Sequence, residues 1–167
     1  MLERRTALAA IGSLLAGACA TGGIRADNQS GDAAAMHNKT NYLAAKAAYN
    51  ARDLDRCLAY YAPDHQIMSK PTPPGREHIR AFFESTFATW PDIQIVVVNA
   101  LADGDWVMGR SISTATHSAT VMGVAPTGKK IETSFWDLHR FNAEGLIAQT
   151  WNLTDNLAIM QQLGVVS

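Results

Sequence analysis

The sequence predicts an α+β domain in which helices cover one face of a curved antiparallel sheet, and three observations carry that expectation. Strong helix formers and apolar residues at helical spacing fill residues 36–90. After Trp90 the period becomes that of long strands, separated by the turn signals Asp103-Gly104, Pro126-Thr127-Gly128 and residues 142–145. Helical and strand segments are thus segregated along the chain rather than alternating, which is the α+β pattern.

Taken in order, residues 36–50 form a first helix, with Leu43 and Ala47 on its apolar stripe. Asp53 caps a second helix whose buried side carries Cys57, Leu58 and Tyr61, and Ala62-Pro63-Asp64 ends it. A loop with Pro71, Pro73, Pro74 and Gly75 leads to a third helix bearing Ile79, Phe82, Phe83, Phe87 and Trp90, stopped by Pro91. Strands are expected over residues 93–100, from Trp106 to Thr120, over 130–141 and over 146–153, with a short closing helix over 155–163.

Composition narrows the class. The chain has 167 residues, 47% apolar and 17% charged, with 14 basic against 15 acidic side chains. One domain with a real core fits these values; disorder, collagen-like repetition and a nucleic-acid surface do not. No stretch is long and apolar enough for a permanent membrane span.

The first 26 residues read as an export leader: Arg4-Arg5, an apolar run over residues 7–15, then small residues around Ala18-Cys19-Ala20. Cleavage is expected after Ala20 or Ala26, and Arg4-Arg5-Thr6-Ala7-Leu8 resembles a twin-arginine signal. A lipid anchor on Cys19 is disfavoured because the nearest upstream leucine, Leu15, is one place too far away. Export places the protein in the periplasm or outside the cell, with residues 27–35 as a flexible tether and 36–167 as the domain. Without the leader the chain keeps 11 basic and 14 acidic residues and one cysteine, Cys57, so an internal disulfide is excluded.

Several segments together resemble the SnoaL-like polyketide cyclases and the ester cyclases grouped with them. They are Asn50-Ala51-Arg52-Asp53-Leu54-Asp55, Tyr61-Ala62-Pro63-Asp64, Pro74-Gly75-Arg76-Glu77, Phe82-Phe83 and Trp90-Pro91-Asp92. In the second half come Thr116-His117, Gly123, Pro126-Thr127-Gly128-Lys129, Asp137-Leu138-His139-Arg140, and Asp155 leading to Gln161-Gln162-Leu163-Gly164. The resemblance covers about residues 38–164. It implies the nuclear transport factor 2-like fold, a cone of curved sheet and helices around one pocket, commonly as a homodimer.

The resemblance also implies cofactor-free chemistry on a small hydrophobic carbonyl compound. A proton leaves the carbon beside a carbonyl, and donors hold the enolate. Matched through Arg140 and the Gln161-Gln162-Leu163-Gly164 segment, the family's supporting His falls on Asp137 and its catalytic Asp on Asn152. An Asn can orient or donate but cannot exchange a proton. Strand alternation puts Thr133, Phe135, Asp137 and His139 on one face, so Asp137 beside His139 is the remaining acid/base pair.

Asp155 matches an acidic family position and also stands where it would cap the closing helix. His117 matches a family position near a strand bend, and Met68 stands where many relatives have a histidine. Among the aromatics, Phe135, Trp136 and Trp151 are candidate substrate contacts beside Trp106, Phe82, Phe83 and Phe87. A metal site is not expected, since the five histidines show no ligand spacing. The same cone can host a cyclase, an isomerase or hydrolase, or a non-catalytic binding pocket.

Overall fold

The structure, a computed structural model, describes residues 22–70 and 72–166. Residues 1–21, most of the expected leader, lie outside that range. Helix α1 (Gly22–Asn50) begins earlier than the sequence predicts and runs through residues 27–35, where a tether was expected. The run Asp32-Ala33-Ala34-Ala35 favours helix, and Ala35 is already buried.

After α1 comes α2 (Leu54–Leu58), and Asp53 caps it as expected, its carboxylate accepting the Arg56 amide at 3.0 Å. Tyr61 does not continue that helix. It opens a strand, β1 (Tyr61–Ile67), which the sequence reading missed because Pro63-Asp64 looks like a helix end. The strand is possible because β1 is a sheet edge, where the missing N–H of Pro63 can be tolerated. It pairs in parallel with β5 (Ile147–Thr154), with an irregular register between Tyr61 and Gln66.

Helix α3 (Arg76–Thr89) follows, then β2 (Gln94–Asp103), β3 (Trp106–Thr116), β4 (Lys130–Phe141), β5 and the closing helix α4 (Asn156–Leu163). Strand β3 stops at Thr116, short of the expected Thr120; beyond it, the backbone of His117 still exchanges bonds with Gly128 and Lys129. The five strands form one sheet in the order β1-β5-β4-β3-β2, antiparallel except at β1.

Helix α1 is held along the sheet by three asparagines. Asn38 donates to the Gly104 carbonyl at 3.0 Å and Asn41 to that of Gly145 at 2.9 Å. Near the C-terminal end of α1, Asn50 donates to the Ile95 carbonyl at 2.7 Å and accepts the Ile95 amide at 2.9 Å. These bonds fix the helix in rotation as well as position. One stripe at i, i+4 and i+7, made of Tyr42, Lys46 and Tyr49, therefore faces the sheet, whereas Leu43 and Ala47, expected on the apolar stripe, are exposed on the other side of the helix. Tyr49 packs edge-on to Phe83 with ring centroids 4.9 Å apart, joining α1 to α3 in the main core.

Candidate functional site

Between α1, α3 and the concave face of the sheet lies a cavity of about 540 Å³. Its walls are mainly apolar, with Tyr49, Phe83, Trp90, Ile95, Ile131 and Phe135 among them. Polar groups also line it, among them Lys46 of α1, Ser113 of β3, Asp137 and His139 of β4, Thr150 and Asn152 of β5, and Lys70 beyond β1. An apolar chamber with a few converging polar groups is the usual form of a small-molecule site.

Asp137 is 1% exposed and is surrounded by donors. The Tyr42 hydroxyl donates to Oδ1 at 3.1 Å, the Lys46 ammonium donates to Oδ2, and His139 Nε2 stands 3.4 Å from Oδ2. Burial alone would raise the Asp137 pKa, but the Lys46 charge and the His139 contact outweigh it and hold the carboxyl below the usual carboxylate range. The Tyr42 hydroxyl is pushed above its ordinary value, first by burial and then by the Asp137 charge, so it stays a donor.

A polar chain continues from the other side of His139. Its Nδ1 lies 2.8 Å from the Thr150 hydroxyl, and that hydroxyl lies 2.8 Å from His65 Nε2. Burial lowers the pKa of both imidazoles, that of His65 to about 4, so both rings are neutral near pH 7. The tautomers then follow from the network. An ionised carboxylate favours an N–H opposite it, so His139 carries its proton on Nε2 and accepts the Thr150 proton at Nδ1. With that proton used, Thr150 accepts from His65 Nε2–H, leaving the buried His65 Nδ1 without a partner among the described residues.

Gly109 sits opposite Asp137 in the β3–β4 register and leaves room for this arrangement. A Cβ there would overlap the Tyr42 hydroxyl and stand 2.6 Å from Tyr42 Cζ.

Of the residues expected from sequence, Asp137, His139, Phe135 and Asn152 come together. Asn152 faces Asp137 in register on β5 and lines the same chamber. Asp155 does not join them: it is exposed, and its Oδ1 accepts the Ala158 amide at 3.0 Å as the α4 cap.

Trp136 and Trp151, expected as substrate contacts, stand outside the chamber lining. They lie on the opposite face of the sheet, where Trp151 packs on Trp106 at 5.6 Å between ring centroids. Adjacent residues of one strand cannot share a face, so Trp136 could not accompany Phe135 and Asp137. Met68 is 43% exposed just beyond β1, outside the lining. His117 is buried one layer behind the wall, 5.9 Å from the Trp90 ring and bonded to the Thr127 hydroxyl at 2.9 Å.

Sequence reasoning missed Tyr42, Lys46, Thr150 and His65 as site residues. One signal was present: Lys46 stands at helical spacing between Tyr42 and Tyr49 on a stripe that must be buried. Among the described residues, no group of three His, Cys, Asp or Glu side chains is placed to hold a metal ion.

A family model described as SnoaL-like polyketide cyclase matches residues 39–163. Among solved structures, the chain is similar to AclR, a candidate hydroxylase from Streptomyces galilaeus, at 26% identity and TM-score 0.71, covering 80% of this chain and 99% of that one. It is also similar to IdmH, a candidate polyketide cyclase from Streptomyces antibioticus, at 30% identity and TM-score 0.67, covering 76% and 98%. A candidate SnoaL-like polyketide cyclase from Jannaschia sp. CCS1 shares the fold at 22% identity and TM-score 0.68, covering 79% and 94%. No curated protein matches the sequence.

Proposed function

Because this chain belongs to the SnoaL-like polyketide cyclase family, we propose that it acts on a small hydrophobic carbonyl compound by acid/base chemistry carried by its own side chains. One observation carries this reading: the Lys46–Asp137 ion pair lines a cavity of about 540 Å³ whose walls are mainly apolar. In the reaction, Asp137 takes the proton from the carbon next to the carbonyl. The C–H electron pair becomes a C=C bond, the carbonyl π pair moves to oxygen, and the Lys46 ammonium balances the resulting enolate. Returning the proton to another carbon gives an isomer. Attack of the enolate carbon on a second carbonyl carbon closes a ring, and the new alkoxide takes the proton from Asp137.

His139, Thr150 and His65 act as positioning residues that hold the orientation of Asp137, and Asn152 is a further donor to the substrate. A pure binding role is the second reading. It is favoured by the three donors around Asp137, which make the resting carboxylate a weak base. Exchange of deuterium from solvent into enolisable ketones decides between them: exchange that disappears in Asp137→Asn is expected, and tight binding with no exchange would establish the binding role.

We also propose a homodimer formed through the convex sheet face. Val96, Leu101, Met108 and Leu153 are 63%, 68%, 44% and 68% exposed, and Trp136 and Trp151 lie on the same face. Sedimentation of Leu101→Lys and Met108→Lys variants tests this, with a monomer expected. Export is proposed on the leader-like residues 1–26, and the amino terminus of the protein recovered from the periplasm checks it. None of the described helices is long and apolar enough to cross a membrane.

A further inference from the structure

We propose that Lys46 is the substrate-recognising residue: it leaves Asp137 for the oxygen of an enolisable carbonyl or an enol, and this exchange frees Asp137 to act as the base. The inference rests on the acid/base reading above and adds to it the trigger and the ligand chemistry.

Four features support the exchange. First, the two partners differ in access: the Lys46 side chain is 15% exposed and Asp137 only 1%, so the ammonium is the member of the pair that an entering ligand meets first. Second, an ammonium has three N–H groups, and Asp137 is the only acceptor Lys46 has among the described residues. The others are open to a ligand oxygen.

Third, the ammonium stands 5.2 Å from the centroids of both the Tyr42 and Phe135 rings. Those ring faces attract a cation wherever it moves between them, which lowers the cost of the swing. Fourth, Asp137 keeps its Tyr42 and His139 contacts when Lys46 leaves. Burial then acts against a smaller opposing charge, and the affinity of Asp137 for a proton rises.

The groups that act on Asp137 electrostatically come from three elements. They are Tyr42 and Lys46 of α1, His139 of β4 and Tyr61 of β1. From β3, Gly109 and Ser111 bring no charge. Lys46 is the one cation in this set, so its position controls the carboxylate. A purely hydrocarbon ligand would fill the chamber without moving it; an oxygen ligand with developing negative charge would draw it away.

The test uses 2-naphthol as a stable enol mimic and naphthalene as its hydrocarbon control. Wild-type protein is expected to bind 2-naphthol about tenfold or more tightly than naphthalene, the gain of a charge-assisted hydrogen bond. Lys46→Met should lose most of that preference, keeping only what the Asn152 amide supplies; an undiminished preference overturns the exchange. Asp137→Asn should bind 2-naphthol at least as tightly as wild type, because Lys46 then has no competing carboxylate; clear weakening overturns the exchange. Wild-type Asp137, followed by its carboxyl carbon resonance, should titrate at higher pH with 2-naphthol bound than with naphthalene, and an unmoved titration also overturns it.

If Lys46→Met fails to fold because Asp137 is left as an unpaired buried charge, the double variant Lys46→Met, Asp137→Asn removes that charge and must likewise lose most of the preference for 2-naphthol. Ketone turnover that survives Lys46→Met overturns the role of Lys46, both as the recognising residue and as the enolate's counter-charge, and leaves standing only Asp137 as the base. Full discrimination by Lys46 without turnover on any ketone supports the recognition role and removes the catalytic reading.

Discussion

The Nδ1 atom of His139 and the hydroxyl of Thr150 lie 2.8 Å apart on directly paired strands, and the same hydroxyl meets His65 Nε2 at 2.8 Å. One small side chain thus gives two buried imidazoles a hydrogen-bond partner. Replacing Thr150 with Val keeps the shape and leaves both nitrogens without a partner. A loss of roughly 2–4 kcal/mol in unfolding free energy is expected, because each buried polar group without a partner costs about 1–3 kcal/mol. Urea denaturation measures it, and Thr150→Ser should recover most of the loss.

The same histidines make stability depend on pH. His65 has its pKa lowered from 6.5 to about 4 by burial and by neighbouring His139, and burial lowers that of His139 as well. Below the ordinary histidine value the unfolded chain takes up protons that the folded chain refuses. The stabilisation is therefore complete above about pH 6.5 and declines as pH falls towards 4. Between pH 7 and 4.5 a decline on the order of 2 kcal/mol is expected, and His65→Gln should flatten the slope. Asp137 adds a further loss only below its ordinary value of 3.8, where the unfolded carboxyl takes up a proton first.

Asp155 offers a clean separation of fold from function. It accepts the Ala158 amide as the first-turn cap of α4 and stands outside the chamber lining. Asp155→Ala should cost about 1 kcal/mol, as loss of a cap does. Binding of 2-naphthol should be unchanged; a large change in affinity would return Asp155 to the site.

Gly109 is where the smallest substitution has a direct route to the site. Its Cβ would displace Tyr42, which is fully buried on a helix fixed by three asparagines and cannot retreat cheaply. Gly109→Ala should destabilise the fold by about 1–3 kcal/mol, the usual range for overpacking. It should also break the Tyr42 bond to Asp137, which the tyrosine hydroxyl proton signal in an NMR spectrum would report.

The features legible in the chain alone follow from short-range regularities. Helical spacing located α2, α3 and the C-terminal half of α1, and turn residues located β2 to β5, while the ordered family segments pointed to the cone. The period of two put Phe135, Asp137 and His139 on one face without any structure. The same rule, fully applied, separates Trp136 from them.

The assembled fold set which face of the sheet is enclosed, because alternation divides residues into two sets and is silent about which set the helices cover. It also decided that a proline-containing segment is a strand, since an edge position tolerates a missing N–H that a centre would not. The partners of Asp137 were beyond the sequence for a related reason. Tyr42 and Lys46 lie 95 and 91 residues away, and His65 reaches Thr150 across 85. Contacts over such separations have no local periodic signature. They follow from where the asparagine bonds set the rotation of α1 and where the β1–β5 pairing sets its irregular register, and both are properties of the assembled sheet.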